Sequence, residues 1–529
     1  MPFSIRKYPI RSAAVMICFC INLISIKLQA QAKLSIDKVY SAYLRNSGTI
    51  SAQGQIKGYF LLYQSDKIDR HTDEYTLQIL DENLNKVKDI KFEDSKTLSL
   101  LESAYNGSSL SFLFKNEDSK TLDMKIYTLD GKLKYTYSRQ FDKKTDDLMK
   151  QYETQHTDQG TNRNVFDLRD LGYASVLPMR DGNQRTYEVD FYSSETHKQW
   201  TYIPTDDEEK YAFAEYLGST DSLIILEVLK KNKALSGKPT AHLVGLNFIT
   251  KKKVFDIDDS KDEFKLVPGS VSTLPDGKML VMGSYFDKDQ NISKDFSRGL
   301  ALYEISNSGK VLSKVYNTWS GDFGRYLPTN AKGKIDEIGF LYIHRLIRMP
   351  DNSLFVVGEG YKREASAGGI ALTALSAMGG GRSSMGVTKI VVTDLVIMQF
   401  NPQYKVTGAT IYDKSHNTAE ASTMSDYNSQ HAIAVYLKSM GAFDYDFTTG
   451  EKDNSTFEVC YSDRVRTSEY KGQTFNAIRY NGQKFSIDKI ELKSKASTLK
   501  VFPAKAGSVM IMEYFKKEKR LEFRLEKLG

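Results

Sequence analysis

From residue 33 onward the chain runs in short stretches where Val, Ile, Leu, Tyr, Phe and Thr alternate with polar residues, interrupted by Gly, Asn and Asp. A period of two places alternate side chains on opposite faces of an extended chain, so these stretches predict strands joined by tight turns. The 32 Tyr and 27 Phe suit pleated, half-buried surfaces better than helices. One stretch departs from the pattern: 146 to 152 opens with capping-type aspartates and predicts the only short helix.

The pattern repeats. Leu274-Pro275-Asp276-Gly277-Lys278 leads into the apolar run 279 to 283, and Met349-Pro350-Asp351-Asn352-Ser353 leads into 354 to 358; both runs end in Gly. Weaker copies at 106 to 108, 220 to 222 and 506 to 508 also precede apolar strands. A second hairpin follows each first one, near Leu77, Met124, Tyr187, Leu243, Ala301, Leu395 and Phe475. Two hairpins form a four-stranded antiparallel unit, the blade of a propeller.

The last segment supplies only three strands, 498 to 502, 508 to 515 and 520 to 528. The N-terminal run Leu34-Ser35-Ile36-Asp37-Lys38-Val39 matches Phe485-Ser486-Ile487-Asp488-Lys489-Ile490, the fourth strand of the preceding unit. The first strand therefore pairs with the C-terminal three, closing a ring and removing a sheet edge. The fold expected is an all-β propeller of eight blades within one domain, 33 to 529, with seven blades or two stacked propeller-like sheets as alternatives. On these hairpins the chain resembles exported propeller-repeat proteins, and as a whole it is similar to uncharacterised secreted β-repeat proteins of Bacteroidota. That resemblance implies no established activity and carries no functional residue across.

The chain begins with Arg6, Lys7 and Arg11, an uncharged run at 12 to 26, and Ala30-Gln31-Ala32. This is the pattern of a secretory signal peptide, with cleavage expected after Ala32 or Ala30. The run falls short of the roughly 20 apolar residues of a membrane span. The expected mature product is exported, periplasmic or extracellular, has no transmembrane span and is a monomer. Without residues 1 to 32, 69 basic residues face 66 acidic ones and the net charge drops from +7 to +3. A balance so even argues against nucleic acid as a partner. Of three cysteines only Cys460 remains, so no intrachain disulfide forms.

In a four-stranded blade the first-to-second and third-to-fourth turns share one end, and the other connections share the opposite end. The first set is short throughout, whereas the second contains the long segments 142 to 163, 231 to 241, 287 to 298, 319 to 337, 361 to 390, 414 to 428 and 464 to 473. Recognition belongs on such a decorated end. Segment 361 to 390 is a Gly/Ala-rich insertion with no charge between Ala365 and Gly381, flanked by Lys362, Arg363 and Arg382, which suit an anionic ligand or simply solvent. Trp319, Asp322, Arg325 and Tyr326 combine aromatic faces, a carboxylate and a guanidinium that suit a sugar or peptide, although Trp319 equally suits packing between blades.

Other chemistry finds little support. The acidic loops at 256 to 262 and 287 to 291 alternate oxygen ligands but lack the closing carboxylate of a calcium loop. The seven histidines show no zinc spacing, and neither a Gly-x-Ser-x-Gly elbow nor a phosphate loop occurs. No cofactor, metal or catalytic residue is expected. The function expected is a binding module for a protein, peptide or glycan; the alternatives are a glycan-active hydrolase or lyase and a structural component of an envelope assembly.

Overall fold

The Pro-Asp-Gly-Lys turn shows why the repeat takes its form. Gly277 N–H donates to Leu274 O and Leu274 N–H to Lys278 O, and Gly277 takes φ +81°, a region that side chains disfavour. In the second copy Asn352 holds the same place at φ +69°, asparagine being the residue that best tolerates it after glycine. Gly283, which ends the first apolar run, has Val267 O 2.1 Å from where a Cβ would stand, so the neighbouring strand leaves no room for a side chain.

The computed structural model describes residues 32–52, 55–147, 164–181, 184–204, 211–232, 238–365, 388–419 and 429–528. The fold is all-β, built on four-stranded antiparallel sheets. Sheet 1 contains strands Gln55–Lys67, Thr72–Asp81 and Lys86–Ser95, its first position being shared by Ser41–Ala42 and Gly48–Ala52. Sheet 2 runs from Leu98–Tyr105 to Leu133–Gln140. Sheet 3 has eight strands, Val165–Asp167 to Gln199–Tyr202 and Tyr211–Ser219 to Lys252–Ile257, and only the parallel pair Arg185 and Tyr211 joins its halves. Sheet 4 runs from Phe264–Thr273 to Val311–Thr318, and sheet 5 from Phe340–Arg348 to Val406–Tyr412 with the short Asn417–Ala419 alongside. Sheet 6 runs from Tyr445–Gly450 to Phe485–Leu492.

Sheet 7 joins the ends of the chain. Strands Thr498–Pro503, Ser508–Phe515 and Arg520–Lys527 are completed by Lys33–Asp37, which pairs antiparallel with the last of them, Lys33 opposite Arg524 and Asp37 opposite Arg520. Val39 N–H donates to Lys519 O and the Tyr514 hydroxyl to Tyr40 O, fixing the chain as it passes into sheet 1.

The second strands are buried along most of their length because each is covered on both faces. In Ser508–Phe515, Val509 and Ile511 pack on sheet 6 with Cys460 and Phe475, while Met510, Met512 and Tyr514 pack on sheet 1 with Tyr59, Leu61 and Leu80. In Leu354–Ala365, Leu354 and Val356 join the core shared with sheet 4, and Phe355 and Val357 the core shared with sheet 6. Similar cores link sheet 1 to sheet 2, sheet 2 to the first half of sheet 3, the two halves of sheet 3, and its second half to sheet 4.

Three expectations need correction. The helix expected at 146 to 152 begins earlier, with residues 143 to 147 helical, because Asp142 and not Asp146 accepts the capping N–H, from Thr145. A helix that the strand pattern hid, α1 (Gln430–Ser439), follows the cap Ser429, whose hydroxyl accepts Ala432 N–H. The segment 464 to 473 is no long loop: strands reach Arg466 and resume at Lys471 around a turn closed by Thr467 N–H to Tyr470 O. Likewise Lys362 and Arg363 lie in strand Leu354–Ala365, and the charge-free part of the insertion, 366 to 381, falls outside the described residues, as do residues 1 to 31. Among the described residues no helix is long and apolar enough to cross a membrane, which says nothing of strands.

Candidate functional site

The first strands of several sheets end in small residues, Ser51, Ser103 and Ala104 among them, and these open onto a cavity of about 1770 Å³. Its walls come from Gly48–Ala52, Leu98–Tyr105, Val165–Asp167, Tyr445–Gly450 and Thr498–Pro503, with residues 415 to 419 and 440 to 444 completing them. The last two segments flank the long connection that carries α1. Ile433, Ala434 and Leu437 of the helix pack on Tyr361, Ile390 and Val392, and Phe443 beyond it stacks on Tyr342 at 4.9 Å between ring centroids. His431 and Lys438 reach Glu227 and Glu215 of sheet 3 at 3.4 and 3.5 Å.

One wall rests on a buried charge network. Glu359, fully buried on the second strand of sheet 5, accepts hydrogen bonds from Asp444 N–H (3.0 Å), Tyr445 N–H (3.1 Å) and His344 Nε2 (3.0 Å), and pairs with Lys414 Nζ at 3.1 Å. The same ammonium donates to Asp444, whose Oδ2 also accepts from Asn417 Nδ2 at 2.8 Å. Lys414 N–H binds Asp394 and Ser415 N–H binds Asp463, so carboxylates from sheets 5 and 6 hold the 414 to 417 segment in place.

The electrostatics divide the acids. Burial pushes the Glu359 carboxyl up, yet Lys414, His344 and the backbone donors outweigh it and hold the group below its ordinary range. Asp444 receives fewer donors, and burial pushes it up to about 7 despite Lys414. Asp446, two residues on, takes one hydrogen bond from Ser462 Oγ (2.7 Å) and is likewise pushed up to about 7, first by the surrounding wall and then by Asp444. Its side chain opens to the cavity, so water there offsets part of that push. Burial lowers His344, which faces Glu359 as a neutral imidazole. The wall thus presents two acids, Asp444 and Asp446, raised above the ordinary carboxylate range.

Opposite charge stands on the neighbouring hairpin. Arg464 and Arg466 of strand Phe457–Arg466, together with Lys471, Lys493 and Lys495, line the same cavity. Arg464 faces Gln473 across the ladder and Arg466 faces Lys471.

The residues expected from sequence lie elsewhere. Trp319 is buried between sheets 4 and 5 against Phe323, with Nε1 donating to Ser297 Oγ at 3.0 Å. Asp322 Oδ2 accepts Thr318 N–H and its hydroxyl. Arg325 and Tyr326 are exposed, and Lys362 Nζ donates to Glu337 O. None of these residues, nor Arg363, lines the cavity, and Arg382 lies outside the described residues. In the acidic loops Asp256 pairs with His242, Lys230 and Lys253, and Lys314 bridges Asp259 and Asp262, so these carboxylates are neutralised by the protein's own cations. The cavity residues missed from sequence left one trace, the alternation of Asp444 and Asp446 with Tyr445 and Phe447, and of Arg464 with Arg466. Glu359 and Lys414 left none, since burial of a charge depends on partners remote in sequence.

Similarity to known proteins is low. Among curated proteins no relative matches the sequence. A post-proline cleaving enzyme from Rickettsia typhi aligns at 9% identity and TM-score 0.38 over 89% of this chain and 58% of that one. The β-propeller domain of the Trilobed protease from Pyrococcus furiosus aligns at 9% and 0.31 over 73% and 97%. A cobalt-substituted Synechocystis ACO aligns at 8% and 0.29 over 51% and 60%, so the chain spans about three fifths of several structures it matches. At TM-scores below 0.5 these likenesses carry no argument about fold or activity. The sequence itself, over residues 10–529, matches the model of DUF6770, and the chain belongs to that family of unknown function.

Proposed function

We propose that this protein is an exported binding module, a single ring of eight four-stranded blades that takes a protein, peptide or glycan ligand into the cavity described above. The cavity of about 1770 Å³, walled by polar first strands and by both flanks of the α1 connection, is the observation that carries this reading. The succession of cores supports the ring: each sheet, and each half of sheet 3, shares one core with the unit before it and another with the unit after, and sheet 7 shares cores with sheets 6 and 1. The leader pattern at residues 1 to 32 supports export.

Glycan and peptide arrays probed with the mature chain test the reading. A bound ligand whose signal is lost in Thr498→Trp, which fills the cavity wall, is the expected result; ligands that bind this variant unchanged would overturn it. A second reading, hydrolysis or lysis of a glycan, is favoured by one observation: Asp444 and Asp446 both line the cavity and both hold protons toward neutrality. Release of reducing ends from a polysaccharide panel, abolished in Asp446→Asn, would establish it, and absence of turnover across the panel would remove it.

A further inference from the structure

The hairpin Phe457–Arg466 and Lys471–Tyr480 projects its tip into the cavity wall with an unusual charge arrangement. Arg466 and Lys471 stand directly opposite each other in the antiparallel ladder, a like-charge pair that disfavours the sheet. Arg464 lies one alternation away on the same face, and Lys495 lines the same cavity from the connection between sheets 6 and 7. All four side chains are exposed, and none makes an ion pair or hydrogen bond with another side chain among the described residues. The opposite face of the strand, bearing Asp463 and Val465, is buried, so the strand's exposed face here is the one that carries the two arginines. Elsewhere the protein neutralises its clustered charges internally, as with Lys314 between two aspartates. Here no described side chain pairs with the four cations, which leaves them open to an anion in the cavity.

We propose that the cationic cluster of Arg464, Arg466 and Lys471 at the hairpin tip, with Lys495 beside it, binds an extended acidic peptide segment entering the cavity. This rests on the cavity being the binding site and names its ligand class. The spacing selects a peptide: Arg464 and Arg466 repeat at about 7 Å along their strand, and same-face side chains of an extended peptide repeat at the same interval. Alternate Glu or Asp residues of such a ligand meet both guanidiniums, which bind carboxylates through paired N–H donors.

Fluorescence anisotropy of the mature protein with labelled (Glu-Thr)6 tests the proposal, with (Gln-Thr)6, hexagalacturonate and a dodecathymidylate as comparison probes. The acidic peptide should bind at least tenfold more tightly than all three and weaken as salt rises from 50 to 300 mM. R464Q/R466Q should weaken it at least tenfold and K471Q a few-fold, whereas K517Q, on an exposed turn outside the cavity, should leave it unchanged. Because the substitutions relieve like-charge opposition, the melting temperature of R464Q/R466Q should hold or rise; a fall would mark a structural role and overturn the proposal. Equal or tighter binding of hexagalacturonate or dodecathymidylate, or no binding of (Glu-Thr)6, also overturns it. If array ligands still depend on Thr498 in that event, the peptide assignment fails alone; if they do not, the cavity reading has failed.

Discussion

At the residue scale the chemistry concentrates where two acids lie two positions apart, Asp444 just before strand Tyr445–Gly450 and Asp446 within it. Asp446 is raised in the folded protein to about 7, against an ordinary carboxylate near 4. A folded state that holds a proton more tightly than the unfolded chain is favoured while that proton is present. The Asp446 contribution is therefore complete below about pH 4 and is lost as pH rises toward 7. Thermal melts at pH 5 and 7.5 should show a larger decline with rising pH in the wild type than in Asp446→Asn. An identical decline in the two proteins would show that Asp446 titrates like an ordinary surface carboxylate. Glu359 has the opposite sign: its lowered value gives stability above the ordinary carboxylate range that is lost only as the solution becomes strongly acidic.

At the element scale the N-terminal strand carries the most consequence for its length. Lys33–Asp37 covers the free edge of Arg520–Lys527, and Leu34 and Ile36 pack against the core shared by sheets 7 and 1. Partial burial of two such side chains contributes about 2 to 4 kcal/mol, beyond the ladder hydrogen bonds. A variant that begins at residue 38 should melt several degrees lower than one that begins at residue 33 and aggregate on heating, because the exposed edge is a template for pairing with another chain. Calorimetry with size-exclusion chromatography checks this; unchanged melting would make the strand dispensable. The hairpin tip is the other notable element, since Arg466 directly opposite Lys471 costs the sheet some stability.

At the scale of the whole molecule, stability depends on neighbours sharing cores. Each second strand contributes alternate side chains to two cores, so loss of one sheet would expose both of its neighbours. Such coupling predicts unfolding as one unit. The two tryptophans report on it from separate places, Trp200 between the halves of sheet 3 and Trp319 between sheets 4 and 5. In urea, Trp200→Phe and Trp319→Phe should give fluorescence transitions with the same midpoint after correction for each variant's stability. Two separated transitions would divide the chain into independent domains and overturn the proposed ring.

Much of this architecture was legible in the sequence because it follows from local rules. Alternation of apolar and polar residues fixed the strands, Pro-Asp-Gly and Pro-Asp-Asn fixed the turns through their left-handed third positions, and the kinship of 34 to 39 with 485 to 490 identified a displaced fourth strand. The helix Gln430–Ser439 was harder to see because only Ile433, Ala434 and Leu437 mark its buried stripe. The candidate site was decided by tertiary structure. Trp319 went to packing, and Glu359, Lys414, Asp444 and Asp463, drawn from separate strands and connections, became one wall. Periodicity specifies which face of a strand is buried, whereas the partner that makes a buried charge tolerable is set by which strands the folded chain places side by side.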